Sequence, residues 1–411
     1  MNRLLVLAAG FASLVSVSAA HAACTVTGSG EVSTLSNSFP ALTVIADAMR
    51  ECSVGAVKVT TKLTTDNVAE TAQALKAAKS PYGLVALTNS TFTLAQANGQ
   101  LRPITAFVAK YKTKYKIEDG MLIKSGNDVM AIAFQVNAQH LFYRKDILDS
   151  AGIAPPKTYD EVLAAAAKLK GKAGIEFPLS GTYKSGWNLG EEFVNNYLGM
   201  GGEFFKAGTA EPAFNNPLAI KTLVVMKKLL GYMSPNALAL DTGASAQQLM
   251  QGQVAMANIW ASRAANMDDP AQSRVVGKIA FAGAPTITPG GRPATTLWWD
   301  GFAIPKNFDG DPELAFQVMM EGLKEAVVTA HNDVAIWTRS AYKPGRFAVG
   351  TAESARAGAP PYPMVPQASL AHDALGARIG EYFAGTATAE KVLADATTDY
   401  ITAAKAKGLL K

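Results

Sequence analysis

Cysteine, histidine and charge are all scarce in this chain. Its 411 residues include two cysteines and four histidines, and Asp, Glu, Lys and Arg together make up 17%. The histidines, His21, His140, His331 and His372, form no H-x-H or H-E-x-x-H group, so no metal site is expected. A G-x-S-x-G elbow and a glycine-rich phosphate loop are missing too, which removes the common nucleophile and nucleotide signatures. The formal net charge of +5 is spread over the whole length and gives no reason to expect a nucleic-acid partner. Beyond the first 22 residues no apolar run approaches the roughly 20 residues that cross a bilayer, so the exported chain is expected to be soluble. No internal repeat, low-complexity tract or linker interrupts it.

What is present begins with an address. Met1-Asn2-Arg3 is a positive start, Leu4 to Val17 an apolar core and Ala20-His21-Ala22 an A-x-A cleavage site, so residues 1–22 read as a signal peptide. Export to the periplasm follows. A lipid on Cys24 competes with simple cleavage, but His21-Ala22-Ala23 lacks the Leu-type residue of such sites. An exported protein with two cysteines usually pairs them, so a Cys24–Cys52 disulfide is expected.

The remainder, 49% hydrophobic residues over the whole chain, is too long for one core and suggests two domains. Strand patterns at 31–35, 57–63 and 82–87 alternate with helix patterns after Pro40 and at 68–79, as in a mostly parallel sheet. Ser36-Asn37-Ser38 reads as the cap of the first helix, and Thr88-Asn89-Ser90 as a polar loop ending the third strand, with Asn37 and Asn89 each alternatively a helix cap. A strand at 129–136 follows, then helices at 145–151, 159–169, 190–198, 217–230 and 246–251, a strand at 254–259, another from Trp298 to Pro305, and helices at 312–322 and in the tail 371–411.

Three stretches carry a resemblance. The run from Asn137 to Glu161 holds Tyr143-Arg144-Lys145-Asp146-Ile147, Ala151-Gly152-Ile153, Pro156, Thr158 and Asp160-Glu161. Leu249 to Met256 reads LMQGQVAM, and Leu297 to Pro305 reads LWWDGFAIP. In this order they resemble the extracellular solute-binding proteins, family 1, of sugar-importing ABC transporters. The resemblance implies an α/β, two-lobed periplasmic-binding-protein fold of type II, maltose-binding-protein-like, with a hinge and a cleft between lobes. It implies a first lobe of residues 23–134 and 299–340 and a second of 135–298 and 341–411. It also implies a monomer that needs no cofactor and serves an inner-membrane permease.

A sugar offers hydroxyls to planar polar groups and C–H faces to aromatic rings. Gln135 and Asn137 share one side of the 129–136 strand pattern, and Asn137 stands where relatives place a contacting polar residue. Trp299 is expected as a stacking platform with Asp300 accepting hydroxyls, and Trp298 as core. Trp260, Trp187, Asn37 and Asn89 complete the expected contacts, with Arg263 and Arg339 offering bidentate bonds. The rival within the same fold is a cationic cargo, a polyamine or quaternary ammonium compound, caged by tryptophans and Asp300. A hydrolase using Glu191 and Glu192 with Asp300 is the other rival. The two glutamates are better read as a helix start interacting with its dipole.

Overall fold

The computed structural model describes residues 24–411; the signal-peptide reading and its cleavage site lie outside the described residues. Strands in chain order are β1 (Gly30–Ser36), β2 (Val57–Leu63), β3 (Leu84–Thr88), β4 (Leu122–Ser125), β5 (Asp128–Asn137), β6 (Gln139–Arg144), β7 (Leu179–Gly181), β8 (Met256–Trp260), β9 (Ile279–Ala282), β10 (Trp298–Ala303) and β11 (Ile336–Trp337). Helices in the first half are α1 (Pro40–Arg50), α2 (Asn67–Lys76), α3 (Asn89–Ala97), α4 (Thr105–Tyr111), α5 (Lys145–Ser150), α6 (Tyr159–Leu169) and α7 (Trp187–Gly199). In the second half they are α8 (Pro217–Leu230), α9 (Thr242–Met250), α10 (Pro312–Gly322), α11 (Glu325–Ala330), α12 (Val349–Arg356), α13 (Pro366–Ala384) and α14 (Ala389–Ala406).

The strands form two sheets. One has the order β11-β5-β10-β3-β1-β2 with β4 on the edge of β5, the other β7-β8-β6-β9. Strands β1, β2 and β3 are parallel, and β10 inserts antiparallel between β3 and β5. Only Ala138 separates β5 of the first sheet from β6 of the second. The chain returns between β9 and β10, and leaves again after β11 to place α12 against β6 and β9. Each lobe has its own apolar core, one around Ile45, Phe134, Phe302 and Phe316, the other around Phe193, Tyr197, Leu375 and Tyr400.

Local chemistry explains the elements whose bounds match the sequence reading. Thr158 Oγ1 accepts the Glu161 N–H at 3.2 Å while the Glu161 carboxylate accepts the Thr158 N–H at 3.3 Å, a capping box that starts α6. Asn216 caps α8 and Asp311 caps α10, each followed by a proline in the first turn.

Three expectations are corrected. The cap of α1 is Phe39 in extended backbone without a side-chain bond, not the Ser36–Ser38 run. Thr88-Asn89-Ser90 is not a loop, because Thr88 and Thr91 form a capping box that opens α3 directly at the strand end. Finally, α7 begins at Trp187 after Gly186, whose φ of 96° only glycine adopts readily. Glu191 and Glu192 therefore lie in mid-helix, both buried, away from the free N–H groups that were to explain them. The expected Cys24–Cys52 disulfide is present, with Cα atoms 5.1 Å apart.

Candidate functional site

Most of the polar residues singled out above collect where the sheets meet. Strand β10 lies on β5 with Trp298 opposite Asn137 and Asp300 opposite Gln135, and the register then slips so that Gly301 faces Ala133. Phe134 is the extra residue of this bulge. A Cβ on Gly301 would come within 2.6 Å of the Ile132 carbonyl oxygen, so the bulge closes only over glycine. Gln135 Nε2 donates to Asp300 Oδ2 at 2.7 Å. Asn137 Oδ1 accepts the N–H groups of Ala138 and Ser262 at 3.1 and 3.3 Å, which ties the end of β5 to the turn after β8.

Arg263, in the 3₁₀ segment Ala261–Asp268, reaches across. Its Nη1 donates to the Ser38 carbonyl at 2.9 Å and its guanidinium lies 5.7 Å from the Phe39 ring centre. Burial pulls the Arg263 pKa down to about 10, offset by the charges of Asp241 and Asp300. Asp300 is 8% exposed, and burial pushes its carboxyl up to about 6 against hydrogen bonds from Gln135 and Asn137 and the charge of Arg263. Two buried atoms here have no partner: the acceptor Gln135 Oε1 and the donor Arg263 Nε. Asn37 gives its Oδ1 to the Ser38 N–H at 2.7 Å, shaping the loop whose carbonyl holds Arg263.

The tryptophans divide between two places. Trp298, 3% exposed, packs edge-to-face with Trp260 at 5.5 Å and Trp187 at 5.8 Å, and meets Tyr362 at 4.1 Å. Trp187 and Trp260 thus form a wall backed by Trp298. Trp299 points the other way, as strand alternation requires, and sits edge-on to Phe92 at 5.4 Å. Its backbone N–H donates to Asn89 Oδ1 at 2.8 Å, so Asn89 fastens α3 to β10. This position serves Trp299 less well as a platform beside Asp300 than the sequence suggested. Arg339 is also displaced from the site. Its guanidinium is buried in the first lobe and donates to the carbonyls of Leu323, Lys116 and Tyr115. An arginine binding three backbone oxygens on two separate segments is a structural tie, which no local pattern reveals.

The sequence reading missed the polar network behind the aromatic wall, built from Gln139, Asn195, Thr296, Tyr362 and His372 around Glu191. A small cavity lined by Tyr159, Tyr183, Glu192 and Asn258 lies within the second lobe, apart from the Asp300 cluster.

Because Arg263 joins the two sides of the junction, Arg263→Ala should loosen them. The expected result is a larger radius of gyration by small-angle scattering, together with a loss of stability, since buried Asp300 is left without its neighbouring cation. An unchanged radius would show that this contact does not hold the lobes together.

The sequence and the fold have known counterparts. Residues 51–318 match the family of bacterial extracellular solute-binding proteins. A probable amino-acid ABC transporter periplasmic-binding protein of Sinorhizobium fredii is 30% identical over 149 residues, spanning 35% of this chain and 33% of the relative. A solute-binding protein of Agrobacterium radiobacter in complex with ribitol superposes with a TM-score of 0.79 at 23% identity, over 91% of this chain and 98% of that one. A maltose-bound protein of T. maritima gives 0.79 at 17% identity over 91% and 99%. One from Agrobacterium vitis with bound D-mannitol gives 0.78 at 18% over 92% and 99%. At these identities the structural likeness is one of fold, the two-lobed type of the maltose-binding proteins. The matched residues cover well over half of the chain, which belongs to the bacterial extracellular solute-binding protein family.

Proposed function

We propose that the protein captures a carbohydrate, whether a mono- or oligosaccharide, a polyol or a glycoside, in the periplasm and delivers it to an inner-membrane permease. The carrying observation is the pair of unpartnered buried atoms flanking Asp300, an acceptor on Gln135 and a donor on Arg263. A hydroxyl group is both donor and acceptor and can satisfy each of them. Trp187 and Trp260 add faces suited to C–H groups. The lobes, taken as 23–134 with 299–340 and 135–298 with 341–411, close on the cargo, and the liganded population is what the permease reads. The chain acts as a monomer after removal of residues 1–22.

A second reading follows from the two opposite charges. Asp300 and Arg263, buried near enough to act on each other electrostatically, also match the ammonium and carboxylate of an amino acid, the ligand class in the name of the S. fredii relative. A purely cationic cargo is less favoured, because Arg263 occupies the same cluster and Asp300 is held toward its neutral form.

A thermal-shift screen of the mature protein decides. Ligand at 100-fold above its Kd should add about 2.7 kcal/mol, a shift of a few degrees. Selective shifts with sugars or polyols are expected. Shifts confined to amino acids or polyamines, or no response to any hydroxylated compound, would reject the carbohydrate reading.

A further inference from the structure

Thr296 Oγ1 has three polar neighbours but only one hydrogen to give. Trp298 Nε1 lies 2.7 Å away and can only donate, because an indole nitrogen carries no acceptor. Asn195 Oδ1 lies 2.7 Å away and can only accept, and its amide is oriented by its own Nδ2 donating to Gln139 Oε1 at 3.3 Å. The single Thr296 hydrogen therefore belongs to Asn195. Glu191 Oε1, the third neighbour at 3.1 Å, is left facing an oxygen lone pair. Two oxygens at that distance need a hydrogen between them, and the one available source is Glu191 itself.

The other end of the carboxyl leads to the same place. His372 Nε2 is 2.7 Å from the Trp187 carbonyl and must donate to it, so in the neutral ring Nδ1 is the acceptor. Tyr362 O–H fills Nδ1 at 3.1 Å, while Glu191 Oε2 stands off at 3.6 Å without a hydrogen bond. The groups facing Glu191 from its neighbours are thus Thr296, Trp298, Asn195, Tyr362 and an uncharged His372, with Glu192 next to it on α7. None of them is a lysine or arginine. Burial also drives the Glu191 carboxyl well above its ordinary range, against the polar contacts of Thr296, Trp298 and Asn195, and drives His372 down to about 4.

We propose that Glu191 is a protonated carboxylic acid that donates through Thr296 to fix the indole of Trp298, and is thereby the positioning residue of the aromatic wall. Trp298 backs both Trp260 and Trp187, and His372 holds Trp187 by its carbonyl and by stacking on its ring at 4.8 Å. One neutral acid sets the orientation of three rings from behind. That the wall contacts cargo rests on the carrier reading; the proton and its effect on the rings do not.

The test uses the full mature chain without ligand. In the Glu192→Gln background at pH 8, where Asp300 and Asp373, each pushed up to about 6, are mostly ionised, the infrared carbonyl band of a protonated acid should remain. Adding Glu191→Gln should remove it. In the near-ultraviolet circular dichroism, Glu191→Gln should match the parent, because an amide N–H donates as the acid O–H did. Glu191→Leu should lose at least half of the tryptophan signal. Absence of the acid band, or a Glu191→Gln spectrum as altered as that of Glu191→Leu, overturns the assignment. If the leucine variant fails to fold, the infrared comparison still decides. Failure here leaves the carrier reading standing, since no cargo enters the measurement.

Discussion

Between pH 6.5 and 8 the protein should lose about 2 kcal/mol of stability through Glu192 alone. Its carboxyl is buried and held up to about 8, chiefly by desolvation, against hydrogen bonds from Gln139 and Thr182. The folded state therefore keeps a proton that the unfolded chain releases near pH 4.5. Over that interval the unfolded state binds fewer protons, so stability falls as pH rises and levels off above about 8. The full loss across the window is on the order of 5 kcal/mol. Glu191, raised in the same direction, adds to it. Below pH 6.5 the picture is mixed. Asp300 and Asp373, raised to about 6, contribute the same sign, whereas His140 and His372, lowered to about 4 by burial, contribute stability that is lost as pH falls. Urea denaturation at pH 6.5, 7.2 and 8.0 isolates the glutamates. Glu192→Gln should remove about half of the slope, the remainder being that of Glu191; a slope unchanged in that variant would mean that Glu192 is ionised in the fold.

Reducing the Cys24–Cys52 bond should cost about 3 to 4 kcal/mol, the loop-closure entropy of a ring of this size. The sequence separation is 28, and the bond ties the first described residue to a fully buried position after α1. The segment leading into β1 has other anchors. Thr25 N–H and O–H both reach Glu321 Oε1, at 3.1 and 2.6 Å, and Thr27 N–H reaches Gln317 Oε1 at 3.1 Å. These bonds to α10 hold the native arrangement after reduction, so the loss should appear as a lowered denaturation midpoint with the fold retained. Denaturation with and without reductant, alongside intact mass, measures it. Equal midpoints, or free thiols in the untreated protein, would contradict it.

The elements that could be read from sequence were those whose boundaries are set by neighbours in the chain. Thr158 with Glu161, Asn216 with Pro217 and Asp311 with Pro312 each place a cap and its helix within a few residues. The same proximity misled at Thr88-Asn89-Ser90, where the residues of a polar loop are also those of a cap. In the site, the alternation that separates Trp299 from Trp298 and Asp300 was legible, but the slip in register at Gly301 depends on a partner strand far away in sequence. Arg339 shows the limit most clearly. A guanidinium is the same local symbol whether it meets a ligand, water or three carbonyls, and only the assembled fold distinguishes them. The Glu191 network joins α7, Thr296, Tyr362 and α13, segments that nothing in the chain announces as neighbours.

The single residue between β5 and β6 has a mechanical meaning. Both strands are pinned by ladders up to their ends, Trp298 opposite Asn137 on one side and Trp260 opposite Gln139 on the other. At this crossover a change in the angle between the sheets must be absorbed by the few torsions around Ala138, while Asn137 grips the turn beyond β8. The joint then works like a short torsion bar rather than a slack tether. It allows rotation about one line, resists sliding, and keeps the residues nearest the axis, Gln135 and Asp300, almost stationary while the rims travel.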